Sequence, residues 1–266
     1  ILTNKKMIPK SRYIGKLTCV FTFLLHMQLA YAQTPSKLFE LLPEKITNIQ
    51  FSNTIKDTKD KNILIYDNFY AGSGVGIGDF NNDGLQDIYF GGNLVADRLY
   101  LNKGDFKFDD ITKKAGITDD GGWSSGITIA DVNGDGWVDV YVARELYDDT
   151  PELWRNKLYI NNGDLTFTDK AKEYGLADTV RSRHATFFDF DIDGDLDVFI
   201  LNQPPNPGKY SKYLGMSDSG ALLSDEFSPR LYENINNHFV DISEKAGVLR
   251  PGFCNSAVVS DLNNDG

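Results

Sequence analysis

The chain has few cysteines and histidines, which limits the chemistry that it can carry. Only two cysteines, Cys19 and Cys254, and three histidines occur among its 266 residues. Since Cys19 lies in a segment that we expect to be removed on export, the remaining chain can form no intramolecular disulfide. His184 and His238 are far apart in the sequence, and we interpret both as surface or strand-edge residues. The sequence contains no recognisable catalytic constellation, and we predict a protein that is not an enzyme.

Long apolar runs are also scarce, and the longest one lies near the start of the chain. Five basic residues come before or at the start of the apolar stretch 17–30, and Ala30-Tyr31-Ala32 offers an A-x-A cleavage site at its end. These are features of a signal peptide. The stretch is shorter than the about 20 residues that a membrane-spanning helix needs. We therefore predict a signal peptide over residues 1–32 and an exported protein, extracellular or associated with the cell surface, with no membrane span.

Positive charge is in short supply as well. The chain has 27 Lys and Arg against 38 Asp and Glu, and residues 1–32 contain five of the basic residues and none of the acidic ones. Without that segment, 22 basic residues face 38 acidic ones, a net charge of −16. Because such a surface repels a phosphate backbone, we expect no nucleic-acid partner.

The acidic residues are concentrated in four loops of one pattern. The loops are "DFNNDGLQDIYF" from Asp79, "DVNGDGWVDVYV" from Asp131, "DFDIDGDLDVFI" from Asp189, and "DLNNDG" from Asp261. Each has Asp at position 1, Asn or Asp at position 3, Asp at position 5 and Gly at position 6, and the three complete copies have Asp at position 9. Two carboxylates about 4 Å apart repel by about 4 kcal/mol at an effective dielectric near 20. One such loop could be a solvated acidic turn, but four copies indicate a cation site.

We predict that the cation is Ca²⁺. Oxygen ligands at alternating loop positions, a backbone carbonyl at position 7 and a glycine at position 6 for the sharp turn are typical of calcium loops. The predicted ligand residues are Asp79, Asn81, Asp83, Leu85, Asp87, Asp131, Asn133, Asp135, Trp137, Asp139, Asp189, Asp191, Asp193, Asp195, Asp197, Asp261, Asn263 and Asp265.

The loops differ from those of helix–loop–helix calcium hands. A calcium hand needs a bidentate Glu at position 12, where this chain has Phe90, Val142 and Ile200. The residues on both sides of each loop are β-branched, aromatic or small, with no helical period. Each loop is therefore expected to join two strands of a hairpin.

A second motif follows each complete loop. Its copies are "LYLNKGDFKFDD" from residue 99, "LYINNGDLTFTD" from 158 and "LYENINNHFVD" from 231. The pattern predicts two more strands and a short helical turn, with Asp110, Asp169 and Asp241 as N-caps and a glycine at the end of the turn.

Four antiparallel strands per repeat are typical of propeller blades. We therefore predict an all-β fold, a β-propeller of four-stranded antiparallel blades that is incomplete in this chain. Residues 33–70 are expected to form a lead-in segment, and residues 71–266 three blades and the start of a fourth, with a first strand at 256–262.

The combination of D-x-[ND]-x-D-G-x-x-D with "LYxNxG…F…D…AG" resembles the FG-GAP or VCBS repeat proteins, whose calcium-binding blades also occur in the integrin α-subunit propeller. It looks most like exported bacterial proteins related to cartilage acidic protein, which in full length often end in an ASPIC/UnbV domain. The resemblance covers residues 38–266, and no ASPIC/UnbV segment is present in them. It implies a calcium-binding propeller, while its motifs are weak for biochemical function.

The connection between the second and third strand of each repeat grows along the chain, and we expect ligand-binding residues there. The candidates are Tyr147, Trp154, Tyr210 and Tyr213 in these connections, and Arg181, Arg183 and His184 at a strand entrance, where they could bind an anion or an acidic sugar. Packing over the rim is the alternative for the aromatic residues. We predict a binding or adhesion module for protein or glycan ligands. The alternative is a polysaccharide lyase or hydrolase on a calcium-stabilised propeller.

Overall fold

The computed structural model describes residues 38–66, 68–118, 120–145, 150–204 and 225–262. The chain divides into two units, residues 1–43 and 44–266, and all the described helices and strands belong to the second unit. The predicted signal peptide lies outside the described residues, so it stays a prediction. No helix among the described residues has the length and apolar character needed to cross a membrane.

Twelve strands in the described residues form three sheets of four. The strands are β1 (Val75–Gly78), β2 (Asp87–Phe90), β3 (Arg98–Asn102), β4 (Phe108–Asp110), β5 (Ser124–Ala130), β6 (Asp139–Arg144), β7 (Lys157–Asn161), β8 (Phe167–Asp169), β9 (Ser182–Phe188), β10 (Asp197–Asn202), β11 (Arg230–Asn234) and β12 (Phe239–Asp241). The helices are short: α1 (Glu44–Thr47), α2 (Ala171–Tyr174) and α3 (Ser243–Ala246), with 3₁₀ turns at Pro151–Leu153 and Asp225–Phe227.

Each sheet is a meander in which every strand pairs with the next strand of the chain. The orders are β1-β2-β3-β4, β5-β6-β7-β8 and β9-β10-β11-β12, and every pair is antiparallel. We call these sheets blades one, two and three, and their strands A to D. The predicted all-β fold of four-stranded antiparallel blades is confirmed.

Apolar side chains between neighbouring blades form the core. One cluster joins Tyr89 and Leu99 of blade one to Val140 and Val142 of blade two. A second cluster joins blades two and three. Glycine allows the A strands to approach closely, because a Cβ on Gly126 would lie 2.6 Å from the carbonyl oxygen of Arg183. The blades are therefore stacked face to face, with the closest backbone contacts at strand A.

The aspartate that ends each D strand caps the turn that follows. In blades two and three this aspartate lies one residue before the N-cap position of the helix. The Oδ1 atoms of Asp169 and Asp241 accept the N–H groups of Ala171 and Ser243 at 3.2 and 2.9 Å. The residues at the N-cap position itself are Lys170 and Ile242, which make no side-chain capping bond. The predicted N-cap position is therefore wrong by one residue, because the aspartate bonds two residues ahead as an Asx turn. The predicted glycine stop is confirmed, since Gly175 and Gly247 are left-handed with φ of 80° and 69°.

The lead-in segment packs on blade one and adds no strand to a sheet within its described residues. The ring of Phe51 stacks on Phe90 with centroids 5.0 Å apart. The Asn48 amide donates to the carbonyl of Phe108, and the backbone N–H of Gln50 donates to the hydroxyl of Tyr100. The segment thus covers part of the face that blade one turns away from blade two.

The strand predicted at 256–262 is absent, and this prediction is wrong for the structure as described. Residues 253–261 are outside any helix or strand. The stretch lies beside β9, where the Thr186 hydroxyl reaches the carbonyl of Ala257 at 3.5 Å. A strand requires a ladder of backbone hydrogen bonds, and no described residue provides one to this stretch.

Candidate metal centre

The three A–B loops, residues 79–86, 131–138 and 189–196, have one backbone conformation. Position 6 is left-handed in each, with φ of 86°, 87° and 99° at Gly84, Gly136 and Gly194. Position 4 is left-handed too, at Asn82, Gly134 and Ile192. Two left-handed residues turn the backbone inward, so that the side chains at positions 1, 3 and 5 gather on the inside of the turn.

The aspartate at position 1 organises the turn. In the first loop, Oδ1 of Asp79 accepts the N–H of Asp83 at 3.1 Å and its Oδ2 accepts the N–H of Gly84 at 2.7 Å. Asp131 and Asp189 make the same pair of bonds in the other loops, at 2.9 to 3.2 Å. At position 5, Asp83, Asp135 and Asp193 accept the N–H of position 7.

The aspartate at position 9 is buried and connects the loop to strand C. In the second loop, Oδ2 of Asp139 accepts the N–H of Val132 at 2.9 Å, and Oδ1 accepts the N–H of Asn161 at 2.8 Å. Asp87 and Asp197 make the equivalent bonds. All three are almost fully buried. Each oxygen accepts one bond and keeps a lone pair for another partner.

Sequence reasoning missed the asparagine of strand C as part of this centre. The backbone N–H groups of Asn102, Asn161 and Asn234 donate to the position 9 carboxylates. Each side-chain amide donates to the carbonyl at loop position 8. The available signal was the repeated "LYxN", in which Asn is the one polar residue common to all three strands.

The surroundings of the position 9 aspartates disfavour ionised carboxylates that have no cation beside them. Burial raises the pKa of Asp139 to about 7, with Asp135 and Asp131 adding repulsion. Burial also raises the pKa of Asp87 and Asp197. The backbone N–H bonds lower these pKa values but do not offset burial. A nearby cation would favour the ionised carboxylates.

The third loop is the most acidic. Single oxygens of Asp189, Asp191 and Asp197 all lie within 4.8 Å of one another. Asp195 at position 7 adds a carboxylate where the other loops have Leu85 and Trp137, and its buried Oδ1 has no hydrogen-bond partner. In the first two loops position 3 is an amide, and Asn81 and Asn133 donate to the position 5 carboxylate at 2.9 and 2.8 Å.

The donor set fits a hard dication such as Ca²⁺, which takes six to eight oxygen ligands. In each loop the sequence supplies carboxylates at positions 1, 5 and 9, a further side-chain oxygen at position 3 and a backbone carbonyl at position 7. Among the described residues, the carboxylates that lie close enough together to share an ion are Asp189, Asp191 and Asp197 of the third loop. The orphaned Asp195 oxygen is a polar atom that such an ion could satisfy. In the fourth loop Asp261 is exposed, while Asn263 and Asp265 lie outside the described residues, so that site stays a prediction.

Four of the predicted ligand-contact residues, Arg181, Arg183, His184 and Trp154, are among the described residues, and they differ in accessibility. Arg181 is buried and pairs with the buried Glu145 at 2.5 Å, so it is not displayed for a ligand. Arg183 also pairs with Glu145 but is partly exposed. Trp154 is partly buried against the cluster of Phe69 and Trp123, which agrees with the rim-packing alternative. Sequence reasoning missed Glu145 because its partners are distant in the chain.

His184 is half-buried, and burial lowers its pKa. Tyr147, Tyr210 and Tyr213 lie outside the described residues. The aromatic ligand surface stays a prediction for these positions.

Comparison with known proteins identifies the repeats. Residues 79–142 and 146–200 match the family model of the FG-GAP-like repeat. Cartilage acidic protein 1 of Xenopus tropicalis is 32% identical over 136 residues, which are 50% of this chain and 20% of that protein. Cartilage acidic protein 1 of Homo sapiens is 28% identical over 140 residues with the same shares of the two chains. This chain therefore spans about one fifth of the length of the curated relatives that it matches.

Proposed function

We propose that this FG-GAP repeat protein is an exported binding module whose acidic loops hold Ca²⁺. The observation that carries the proposal is the recurrence of one donor set in one backbone conformation at the same place in three blades. Each loop supplies three carboxylates and an amide or further carboxylate, the position 9 aspartate is buried in each, and in the third loop three carboxylates lie within 4.8 Å of one another. The repulsion between such closely placed carboxylates is expected to be offset by a bound cation, and the common backbone conformation extends this expectation to the other two loops.

The residues that would hold the ion are those at positions 1, 3, 5 and 9, with the backbone carbonyl at position 7. Bound calcium would supply charge neutralisation. The protein's own residues hold the loop in shape. The position 1 aspartate accepts hydrogen bonds from the turn, and the position 9 aspartate connects the loop to strand C. The strand C asparagine bonds to the carbonyl at loop position 8. We infer a structural role, because the loop joins two strands of the sheet and its ligands also hold the hairpin.

The binding function is supported by the repeat class and by the long B–C connections of blades two and three. Protein or glycan ligands are proposed, because aromatic residues among Pro and Gly occur in those connections and such residues suit recognition. A glycan and protein array with the purified chain would identify a ligand. A lyase absorbance assay on the same sample tests the enzymatic alternative, which predicts turnover of a polysaccharide.

Calcium removal should destabilise the protein. Extracellular modules bind Ca²⁺ with Kd of about 10⁻⁴–10⁻³ M, and at 100 times Kd each site would add about 2.7 kcal/mol. We expect the Tm measured by scanning calorimetry to fall by several degrees in EGTA and to return with excess Ca²⁺. Asp135→Ala and Asp191→Ala should each remove one site in a calorimetric titration. A Tm that is the same with and without EGTA would contradict the proposal.

A further inference from the structure

A cleft lies at the beginning of the A strands, on the side of the blades opposite to the acidic loops. It has a volume of about 320 Å³ and is lined by the chain before β1, the first residues of β5 and β9, and Asn255. This volume is at the lower end of the range for small-molecule sites. Residues at or just before the start of strand A in each of the three blades meet here with Asn255, so no single blade forms the cleft.

Two arginines share one carboxylate beside this cleft. Arg181 donates to Oε1 of Glu145 through Nε and Nη2, at 3.2 and 2.5 Å, and Arg183 donates to Oε2 of the same residue. Arg181 also donates to the carbonyl of Pro204 at 3.2 Å. Glu145 and Arg181 are almost fully buried. Arg183 is the partly exposed member of the pair, and it lines the cleft.

Arg183 has donors to spare. One nitrogen, Nη1, bonds to Glu145, and within the described part of the chain the other N–H groups of this guanidinium make no hydrogen bond. A guanidinium presents five N–H donors in a planar fork that matches a carboxylate. Glu145 holds one nitrogen of the fork in place, which leaves the other N–H donors for a ligand.

Polar groups that suit a sugar surround this charge. Ser73 and Ser125 use their hydroxyl protons on backbone carbonyls and keep oxygens that can accept a bond. The half-buried imidazole of His184 and the exposed amide of Asn255 supply both a donor and an acceptor. Val75 and Ile127 provide an apolar wall, against which the C–H face of a pyranose ring can pack.

We propose that this cleft binds the carboxylate of an acidic sugar through the free edge of the Arg183 guanidinium. Ser73, Ser125, His184 and Asn255 are positioned to contact the sugar hydroxyls. The inference rests on the proposed binding function and narrows its ligand class to uronate-containing saccharides. It does not involve the calcium loops, which lie at the other ends of the strands.

The test measures the binding of sodium D-glucuronate and of a uronate oligosaccharide to the full chain in the presence of Ca²⁺. Saturation-transfer NMR detects the binding, and calorimetry gives the Kd. We expect binding that D-glucose at the same concentration does not show. Arg183→Gln should weaken it at least tenfold, whereas Arg98→Gln, which removes the same charge from the half-exposed Arg98–Asp110 pair of blade one, should leave it unchanged.

Arg183→Lys serves as a second variant, because lysine can keep the ion pair with Glu145 but lacks the planar fork. It should fold with the Tm of the parent protein and still bind glucuronate several-fold more weakly. Equal binding by glucuronate and glucose, or unchanged binding in a folded Arg183→Lys or Arg183→Gln protein, would overturn the inference. So would binding of an aspartate-containing peptide in place of the saccharide.

Failure of the inference is separable from failure of the proposed function. If the array identifies a neutral glycan or a protein whose binding is insensitive to Arg183, the binding function stands and the cleft inference falls. If Ca²⁺ fails to bind while glucuronate binds, the calcium proposal falls and the cleft inference stands.

Discussion

At the scale of single residues, one loop position is under visible backbone strain. Position 4 of the acidic loops is Asn82 in blade one and Gly134 in blade two, residue types that tolerate a left-handed backbone, but it is Ile192 in blade three with φ of 62°. A left-handed conformation costs a β-branched residue about 1–2 kcal/mol. The Ile192 side chain is 66% exposed, so little packing offsets this cost.

Ile192→Asn is therefore expected to stabilise the protein by about 1 kcal/mol. The free energy of unfolding from urea titration in Ca²⁺ measures the effect. Ile235→Asn is the matched control, because Ile235 is also exposed but is not among the residues with positive φ; it should give no gain. Equal changes in both variants would show that polarity and not backbone strain is responsible.

The sequence predicted every carboxylate of the three loops but only part of what each one does. The spacing of Asp79, Asn81, Asp83 and Asp87 predicted that their oxygens converge. It could not show that position 9 is buried under strand C, because the N–H that it accepts belongs to Asn102, which comes from a different strand. Contacts between residues distant in the chain depend on strand register, which a local pattern does not specify.

At the scale of strands and loops, the close approach of neighbouring A strands depends on small residues. A Cβ on Gly126 would lie 2.6 Å from the backbone oxygen of Arg183 and 3.1 Å from Cα of His184. Backbone atoms cannot turn aside as a flexible side chain can. Blades two and three would have to separate at this point.

Gly126→Ala should accordingly destabilise the protein by about 1–3 kcal/mol, the usual cost of overpacking. Gly252→Ala is the control, since nothing lies within 4 Å of a Cβ at that position. Thermal unfolding of both variants in Ca²⁺ would compare them. An unchanged Tm for Gly126→Ala would mean that the A strands have room to adjust.

The long B–C connection of blade three should be independent of the acidic loops and of the calcium sites proposed there. We expect that replacing residues 206–223 with a short Gly-Ser link leaves all calcium sites intact in a calorimetric titration. The reason is that the link spares Pro204, whose carbonyl accepts from Arg181, and the buried Phe227. Asp191→Ala provides the comparison for a lost site. Loss of a site in the deletion variant would show that the two ends of the blade are coupled.

Strand positions were well predicted where pairing partners were present and poorly where they were not. Blades one to three appeared from the alternation of acidic loops with "LYxN" strands. The stretch 256–262 has the same apolar pattern as β1 and β5 but forms no strand, since strand formation depends on ladder partners as well as on sequence. The burial of Arg181 was missed for another reason, since it is due to an ion pair with Glu145, which is 36 residues away in the chain.

At the scale of the whole molecule, the face that blade one turns away from blade two exposes apolar residues that the repeat elsewhere covers. Val75 and Ile77 are 52% and 61% exposed, whereas Ile127, at the position in β5 equivalent to Val75, is 9% exposed because blade one packs on it. Val258, beside blade three, is 90% exposed. Exposed apolar strands of this kind favour association with other chains.

Residues 33–266 expressed alone should therefore self-associate, with a sedimentation coefficient that rises with concentration. Val75→Thr combined with Ile77→Thr should reduce the association, whereas Val240→Thr, at a polar outer strand, should not. A monodisperse monomer that melts cooperatively would contradict this expectation.

The hydrogen bond between the position 9 aspartate and strand C bears on the entropic cost of closing the B–C connection. The B–C connection grows from residues 91–97 in blade one to 203–229 in blade three, about two doublings, and each doubling of a flexible loop costs only about 0.6 kcal/mol in closure entropy. The aspartate's bond to the Asn N–H joins strands B and C at their far ends and, as a bond to a charged group, contributes about 1.5–3 kcal/mol. One hydrogen bond per blade is thus enough to offset the closure entropy that a longer B–C connection costs. A blade of this kind can accept inserted peptide without losing its sheet.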